Sequence, residues 1–179
     1  IAINFDSFAV SYENMMMSAD LQNDYGTVPA ILYGGRWAYD QFIGPEWTDG
    51  VVFHVPYYTY KYTGNRKIVD DMWDSMNLAL DNFPRLGDGS YLINQKGTGD
   101  WNPIKGGCSL EVVMTVYYRL SALMMAELAD ATGRDSSAYV ELADKIKKDF
   151  RDKYIVDGKY KAEHISEYIT AAYVGFLNA

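Results

Sequence analysis

Two short stretches of this sequence set an indole beside a carboxylate in polar, glycine-bearing surroundings. Gly97 to Pro103 reads Gly-Thr-Gly-Asp-Trp-Asn-Pro and places Asp100 next to Trp101. Gly44 to Gly50 reads Gly-Pro-Glu-Trp-Thr-Asp-Gly and places Glu46 and Asp49 around Trp47. A carboxylate accepts hydrogen bonds from hydroxyls, and a flat ring packs against the apolar C–H face of a pyranose, so the pairing suits a sugar site. The same residues also have an ordinary use, the indole as a core plug and the aspartate as a turn cap. Two such stretches, each set between helical segments, favour the sugar reading more than either does alone.

Other chemistries find less support. The single cysteine, Cys108, excludes an internal disulfide framework and a zinc–thiolate site, and as a nucleophile it lacks an identifiable base. His54 and His164 stand far apart in sequence, so no metal site and no cofactor is expected. The net charge is −8 and no long basic run exists, which argues against nucleic acid and against an anionic membrane surface as partners. Uninterrupted apolar runs are short, so no membrane-crossing helix is expected. Aromatic residues make up 15 % of the chain, with 16 tyrosines, a share that suits flat polar clefts and helix interfaces alike. The 179 residues suffice for one domain or part of a larger one. The chain opens Ile-Ala-Ile-Asn-Phe, without an initiator Met or a basic leader, so it reads as a piece of a longer polypeptide whose compartment is not legible.

Six helical segments must position the two stretches. Residues 4–20 carry Phe5, Phe8, Tyr12, Met15 and Met16 at helical spacing. Residues 21–48 form a long connection rich in Gly and aromatic residues. A second helix is expected from Thr48 or Asp49 to Gly64-Asn65, capped by Thr48 and apolar on nearly all sides, with a kink at Pro56; a strand is the competing reading of its Val, Phe and Tyr. A third spans about 67–83, with Ile68, Met72, Met76, Leu80 and Phe83 in one stripe. A second irregular stretch, 84–108, holds Tyr91, Leu92 and Ile93 as a candidate short strand. A fourth helix, about 109–132, is apolar nearly all round, with Ser109 able to cap it and Gly133 to end it. A fifth covers about 135–152, residues 153–163 form a turn or short hairpin around Asp157-Gly158, and a sixth runs from about 164 to the end. Buried helices alternating with amphipathic ones make an all-α stack of αα-hairpins. Both long connections precede the buried helices, so hairpins set around an axis bring Trp47–Asp49 and Asp100–Trp101 to one rim.

In three places the chain resembles the catalytic domain of the bacterial α-L-rhamnosidases, family 78 of the glycoside hydrolases. Residues 21–30, LQNDYGTVPA, resemble the family's Asp-Gln…Asp-Gly…Pro segment. Residues 46–65 resemble its Trp-x-Asp-Ala helix, with Gly50 where the family usually has Ala. Residues 99–118 resemble its Gly-Asp-Trp loop and the inner helix that follows. The resemblance implies that 1–179 is the middle of an (α/α)6 six-hairpin barrel. It also implies that Trp47 and Trp101 wall the rhamnose subsite, with Asp49 and Asp100 as weaker substrate-binding candidates. The family inverts configuration with two carboxyl groups about 6.5–9.5 Å apart. Its general acid lies in an Asp-x-x-x-x-Glu-x-x-x-Trp segment upstream of residue 21, and its general base lies past residue 179. Both catalytic groups are therefore expected outside this chain; Glu46 does not sit in the acid's motif, and the 179 residues alone are expected to be inactive. The implied partners are a rhamnose-containing oligosaccharide or glycoside and the rest of the barrel. Uncovered apolar helices also leave self-association open. Two alternatives remain: another six-hairpin hydrolase or lyase acting on a different glycan, and a non-enzymatic helical repeat that binds protein. The absence of a fixed period of about 34 or 40 residues counts against the second.

Overall fold

The computed structural model describes residues 8–29, 31, 49–94, 97, 99 and 107–178, with the backbone alone for Asp49. Among these residues the α-helices are α1 (Phe8–Asp20), α2 (Val55–Thr63), α3 (Arg66–Asp81), α4 (Leu110–Thr132), α5 (Ser137–Tyr154) and α6 (Ile165–Tyr173). A π-helical turn, Asp49–His54, runs directly into α2. Two short strands, β1 (Ile155–Val156) and β2 (Lys159–Tyr160), pair antiparallel through Asp157 and Gly158, both at positive φ. This is the hairpin expected from the Asp-Gly pair.

Helix α4 is the core. Val112, Met114, Thr115, Val116, Tyr118, Ala122, Met124, Met125, Leu128 and Ala129 are all buried. By length and composition it would pass for a membrane span, against the sequence expectation of short apolar runs only. Yet 78 % of its most apolar window is buried inside the protein, as for the central helix of a packed domain. Gly133, at φ +75°, ends it as expected, its N–H bonding the carbonyls of Ala129 and Asp130. Ser109 does not cap it: the hydroxyl makes no capping bond, and the Ser109 amide is used elsewhere.

Cross-helix bonds fix the direction of each neighbour. Tyr57 donates to Glu127, and Tyr60 donates to the Ala131 carbonyl, so α2 runs parallel to α4. Arg134, just past α4, pairs with Asp70 near the start of α3, while Phe83, just past α3, meets Tyr118 edge-on at 5.2 Å. Helix α3 is therefore antiparallel to α4. So is α5, whose last residues Lys153 and Tyr154 both donate to Glu111 in the first turn of α4. Helix α6 is parallel again: the Ser109 amide bonds Glu167, and Arg119 Nε donates to the Val174 carbonyl at 2.8 Å. Tyr12 donates to Asp71, and Gln22 Nε2 donates to the Ser75 carbonyl at 3.0 Å, laying α1 alongside α3 in the same direction. The result is one layer of parallel helices, α2, α4 and α6, backed by α1, α3 and α5.

Several expectations need correction. At Pro56 the expected interruption takes the form of the π turn that lies directly before it, with Pro56 in the first α-helical turn of α2. Helix α2 is not covered on all sides, since Tyr58 and Tyr62 are exposed. Helix α6 ends at Tyr173, and its Ile165, Tyr168, Ile169 and Tyr173 are exposed while Glu167 and Ala171 are buried. Residues 91–93 form no strand, only a single antiparallel bridge between Arg85 and Ile93.

Two consequences can be measured. Gly26, at φ +74°, lies against the backbone of α3, where an added Cβ would overlap the Leu78 carbonyl and the Ala79 Cα. Gly26→Ala is expected to destabilise by at least about 2 kcal/mol, from backbone strain plus displacement of α3, read as a lower denaturant midpoint. Lys61 and Tyr57 hold the Glu127 carboxyl below its usual value of 4.5. A lowered carboxylate contributes stability above that value and loses it as pH falls through the folded value. The gap in thermal midpoint between wild type and Glu127→Gln should therefore be largest near neutral pH and shrink below pH 4.5.

Candidate functional site

Because α2, α4 and α6 are parallel, the segments leading into them emerge at one end of the layer. Of the residues singled out in the sequence, Glu46, Trp47, Asp100 and Trp101 lie outside the described residues. Asp49 opens the π turn, but only its backbone is described. The structure therefore describes the supports of the two stretches: the π turn that follows Trp47, and the residues on either side of Asp100–Trp101.

The π turn is anchored from within. Val52 and Phe53 are fully buried, and Phe53 meets Phe83 edge-on at 6.0 Å. A π turn fits one more residue into a turn than an α-helix does, so it changes the direction in which preceding residues leave. The backbone at Asp49 and Gly50 thus follows the π turn and not the register of α2. At its far end His54 stacks on Tyr58, with ring centroids 5.8 Å apart.

The second stretch is preceded by a pinned loop. Residues 84–94 close on themselves through Leu86 N to Leu92 O and Asn94 N to Pro84 O, both 2.9 Å. Ile93 N donates to the buried Thr115 Oγ1 of α4 at 3.1 Å, and Tyr91 N donates to Asp149 of α5 at 2.7 Å. Arg85 and Lys145 both lie over the Tyr91 ring, at 5.1 and 5.7 Å. Beyond it Gly99, at φ +61°, sits where an added Cβ would overlap the Leu110 side chain at the start of α4. The chain is described again from Gly107. Cys108 Sγ lies 2.9 Å from Ser166 Oγ, and Ser109 N donates to Glu167 Oε1 at 2.6 Å.

Two buried carboxylates stand at this end, and the sequence reading named neither. Glu111 accepts from Lys153 and Tyr154, and burial together with Glu111 pushes the Tyr154 hydroxyl pKa well up. Glu167 accepts the Ser109 amide with one oxygen and, at 3.1 Å, the Glu163 amide with the other. Burial, with Glu167 nearby, likewise raises Tyr160. Both carboxylates thus accept from fixed partners. One signal was available for Glu167: it lies three residues after the helix-flanking His164, where a Glu commonly reaches back to amides before the helix. Glu111 carried no comparable signal, because its partners are 42 and 43 residues away. Among the described residues no group of three His, Cys, Asp or Glu could hold a metal ion. Shallow surface grooves run along α5, one by Val140, Glu141, Asp144 and Lys148 and another continuing to Arg151 and Asp152 near this end.

Comparison with known proteins adds an independent view. A family model described as the bacterial alpha-L-rhamnosidase 6 hairpin glycosidase domain matches residues 1–179. The chain is 32 % identical over 124 residues to an alpha-L-rhamnosidase of Streptomyces avermitilis, covering 69 % of this chain and 12 % of that one. Its fold superposes on the crystal structure of Streptomyces avermitilis alpha-L-rhamnosidase complexed with L-rhamnose at a TM-score of 0.81, with 24 % identity, over 92 % of this chain and 16 % of that one. It superposes on the alpha-L-rhamnosidase of Dictyoglumus thermophilum at 0.84, with 20 % identity, over 96 % and 20 %. The chain thus spans a fifth or less of the length of these relatives. The stacked hairpins described above are part of a six-hairpin domain.

The fit of Gly99 against Leu110 can be dissected. Gly99→Ala is expected to destabilise by about 1–3 kcal/mol in chemical denaturation, combining a positive φ with the overlap on Leu110. In a Leu110→Ala background the overlap disappears and the backbone strain remains, so the second penalty should be smaller but not zero.

Proposed function

We propose that this chain, which belongs to the bacterial alpha-L-rhamnosidase six-hairpin glycosidase family, forms part of the sugar-binding wall of an enzyme that hydrolyses terminal α-L-rhamnosides. The observation that carries the reading is the parallel direction of α2, α4 and α6. The connections bearing Trp47 and Trp101 both feed helices that begin at the same end. In this reading the two indoles pack on the sugar, whose C6 methyl group adds an apolar surface to the usual C–H face. Asp49 and Asp100 accept hydrogen bonds from its hydroxyls.

The acid and base that invert the anomeric centre come from outside residues 1–179, from other hairpins of the same barrel. The two buried carboxylates described here are committed to fixed partners, which agrees with that assignment. The substrate class follows the relative solved with L-rhamnose, whose fold this chain shares.

The test is Trp101→Ala in the full-length protein, with binding of L-rhamnose measured by calorimetry. A ring stacked on the sugar predicts a loss of about 1–3 kcal/mol, by analogy with aromatic stacking on nucleobases. Unchanged binding would return Trp101 to the role of a core plug.

A further inference from the structure

We infer that the side of the inner layer bearing Tyr58, Leu123, Ile169 and Tyr173 is an interaction surface on the axis of the ring. Its partners are inner helices from the other hairpins of the same polypeptide. The inference rests on membership of the six-hairpin family and is independent of the sugar wall.

The first observation is curvature. Helices α2 and α6 flank α4, yet the hydroxyls of Tyr58 on α2 and Tyr173 on α6 are close enough to interact. Burial pushes the Tyr58 pKa up, and the neighbouring Tyr173 and Tyr62 hydroxyls push it further. Side chains from the two flanking members of a row of three helices meet only on the side toward which the row bends. The back of this layer is occupied by α1, α3 and α5, so the meeting point lies in front. The three inner helices therefore curve around a centre in front of α4.

The second observation is composition. On α6, Ile165, Tyr168, Ile169 and Tyr173 are exposed, Ile165 by 75 % and Tyr173 by 70 %, while the only charged residue of the helix, Glu167, is buried. On α2, Tyr58 and Tyr62 are exposed, and the only charged residue, Lys61, is paired with Glu127 of α4. Helix α4 adds the exposed Leu123. Single exposed apolar residues are normal, but a set spread over three helices and free of unpaired charge marks a surface that binds something.

The shape selects the occupant. A second copy of this chain would bring a concave face to a concave face and leave the centre empty, against the close packing a stable interface needs. Convex helices fit a concave seat. The relatives are at least five times as long as the part this chain spans, and the family's domain is built of six hairpins, so such helices are available within one polypeptide. They should present apolar side chains to Leu123 and Ile169, and hydrogen-bond acceptors to the tyrosine hydroxyls, which need partners once covered.

The test is hydroxyl-radical footprinting of the full-length protein, read residue by residue by mass spectrometry. Tyr58, Ile169 and Tyr173 should be oxidised about tenfold more slowly in the native protein than in urea. Native rates close to those in urea overturn the inference. Protection that appears only with added L-rhamnose overturns it in favour of a ligand. Protection that appears only at concentrations where light scattering detects dimers overturns it in favour of a second copy. In the same protein, Ile169→Lys and Tyr173→Lys each place a charge on this side and should lower the thermal midpoint by several degrees. Unchanged midpoints in both variants overturn the cover; a variant that fails to fold leaves the decision to the wild-type footprint. None of these readouts involves Trp47 or Trp101, so failure of the sugar wall is a separate result.

Discussion

Helix α4 presents almost no face to solvent, and the architecture follows from covering it. Its apolar residues lie on every side, so neighbours are needed on every side. With α2 and α6 running parallel to α4, each return trip of the chain is made by an outer helix, α3 between α2 and α4 and α5 between α4 and α6. The two ends of the layer then differ in kind. At the C-terminal ends of α2 and α4 the chain turns within a few residues, at Gly64-Asn65 and at Gly133–Ser136. At the other end it must cross from an outer helix to the next inner one, and the connections are long. An arrangement built to bury one helix therefore leaves all of its spacious loops on a single end, which is where a binding surface can be made.

The short helix α6 is held differently. Of its nine residues, the buried ones are Glu167 and Ala171, so apolar packing supplies little of its register. Two buried polar side chains supply it instead. Glu167, in the first turn, accepts the Ser109 amide, and Arg119 of α4 donates to the carbonyl of Val174 at the other end. The Arg119 guanidinium has the sign that the helix dipole favours at a C-terminal end. Arg119 also donates to the Ala143 carbonyl of α5 and lies 5.6 Å from the Phe176 ring. Burial pushes its guanidinium pKa down, but bonds to these two carbonyls compensate for part of the lost water. Removing either side chain would leave buried backbone groups without their partners, a cost of about 1–3 kcal/mol.

Much of this was legible in the sequence because it is local. Periodic apolar spacing located the helices among the described residues, though not the end of α6 at Tyr173, the Asp157-Gly158 pair marked the turn of the hairpin, and Gly64 and Gly133 marked helix ends. The order of buried and amphipathic helices gave the alternation of layers. What escaped was non-local or irregular. A π turn has no distinct composition, so Asp49–His54 read as the start of an ordinary helix, although Pro56 marked the irregularity that lies just before it. Ile165, Tyr168, Ile169 and Tyr173 have the spacing of a buried stripe, yet Glu167 and Ala171 point inward instead. Amphipathic spacing identifies a face but not which neighbour covers it. Ser109 was an adequate local cap, and the partner that uses its amide is 58 residues away. For Trp47, Asp100 and Trp101 the sequence remains the source, since they lie outside the described residues.

The exposed apolar side chains carry a last consequence. Tyr58 and Tyr62 on α2 and the stripe on α6 all belong to the inner layer, while the exposed surface of α3 and α5 is rich in Asp, Glu and Lys. A two-layer stack that ended here would be expected to carry polar residues on its inner helices as well. A ring of six hairpins gives every inner helix a neighbour on both flanks, and only α4 has both among the described residues. The inner faces of α2 and α6 are therefore what inner helices look like where the ring continues. The same closure would carry further helix starts to the end where α2, α4 and α6 begin, so the loops gathered there share one origin and one direction.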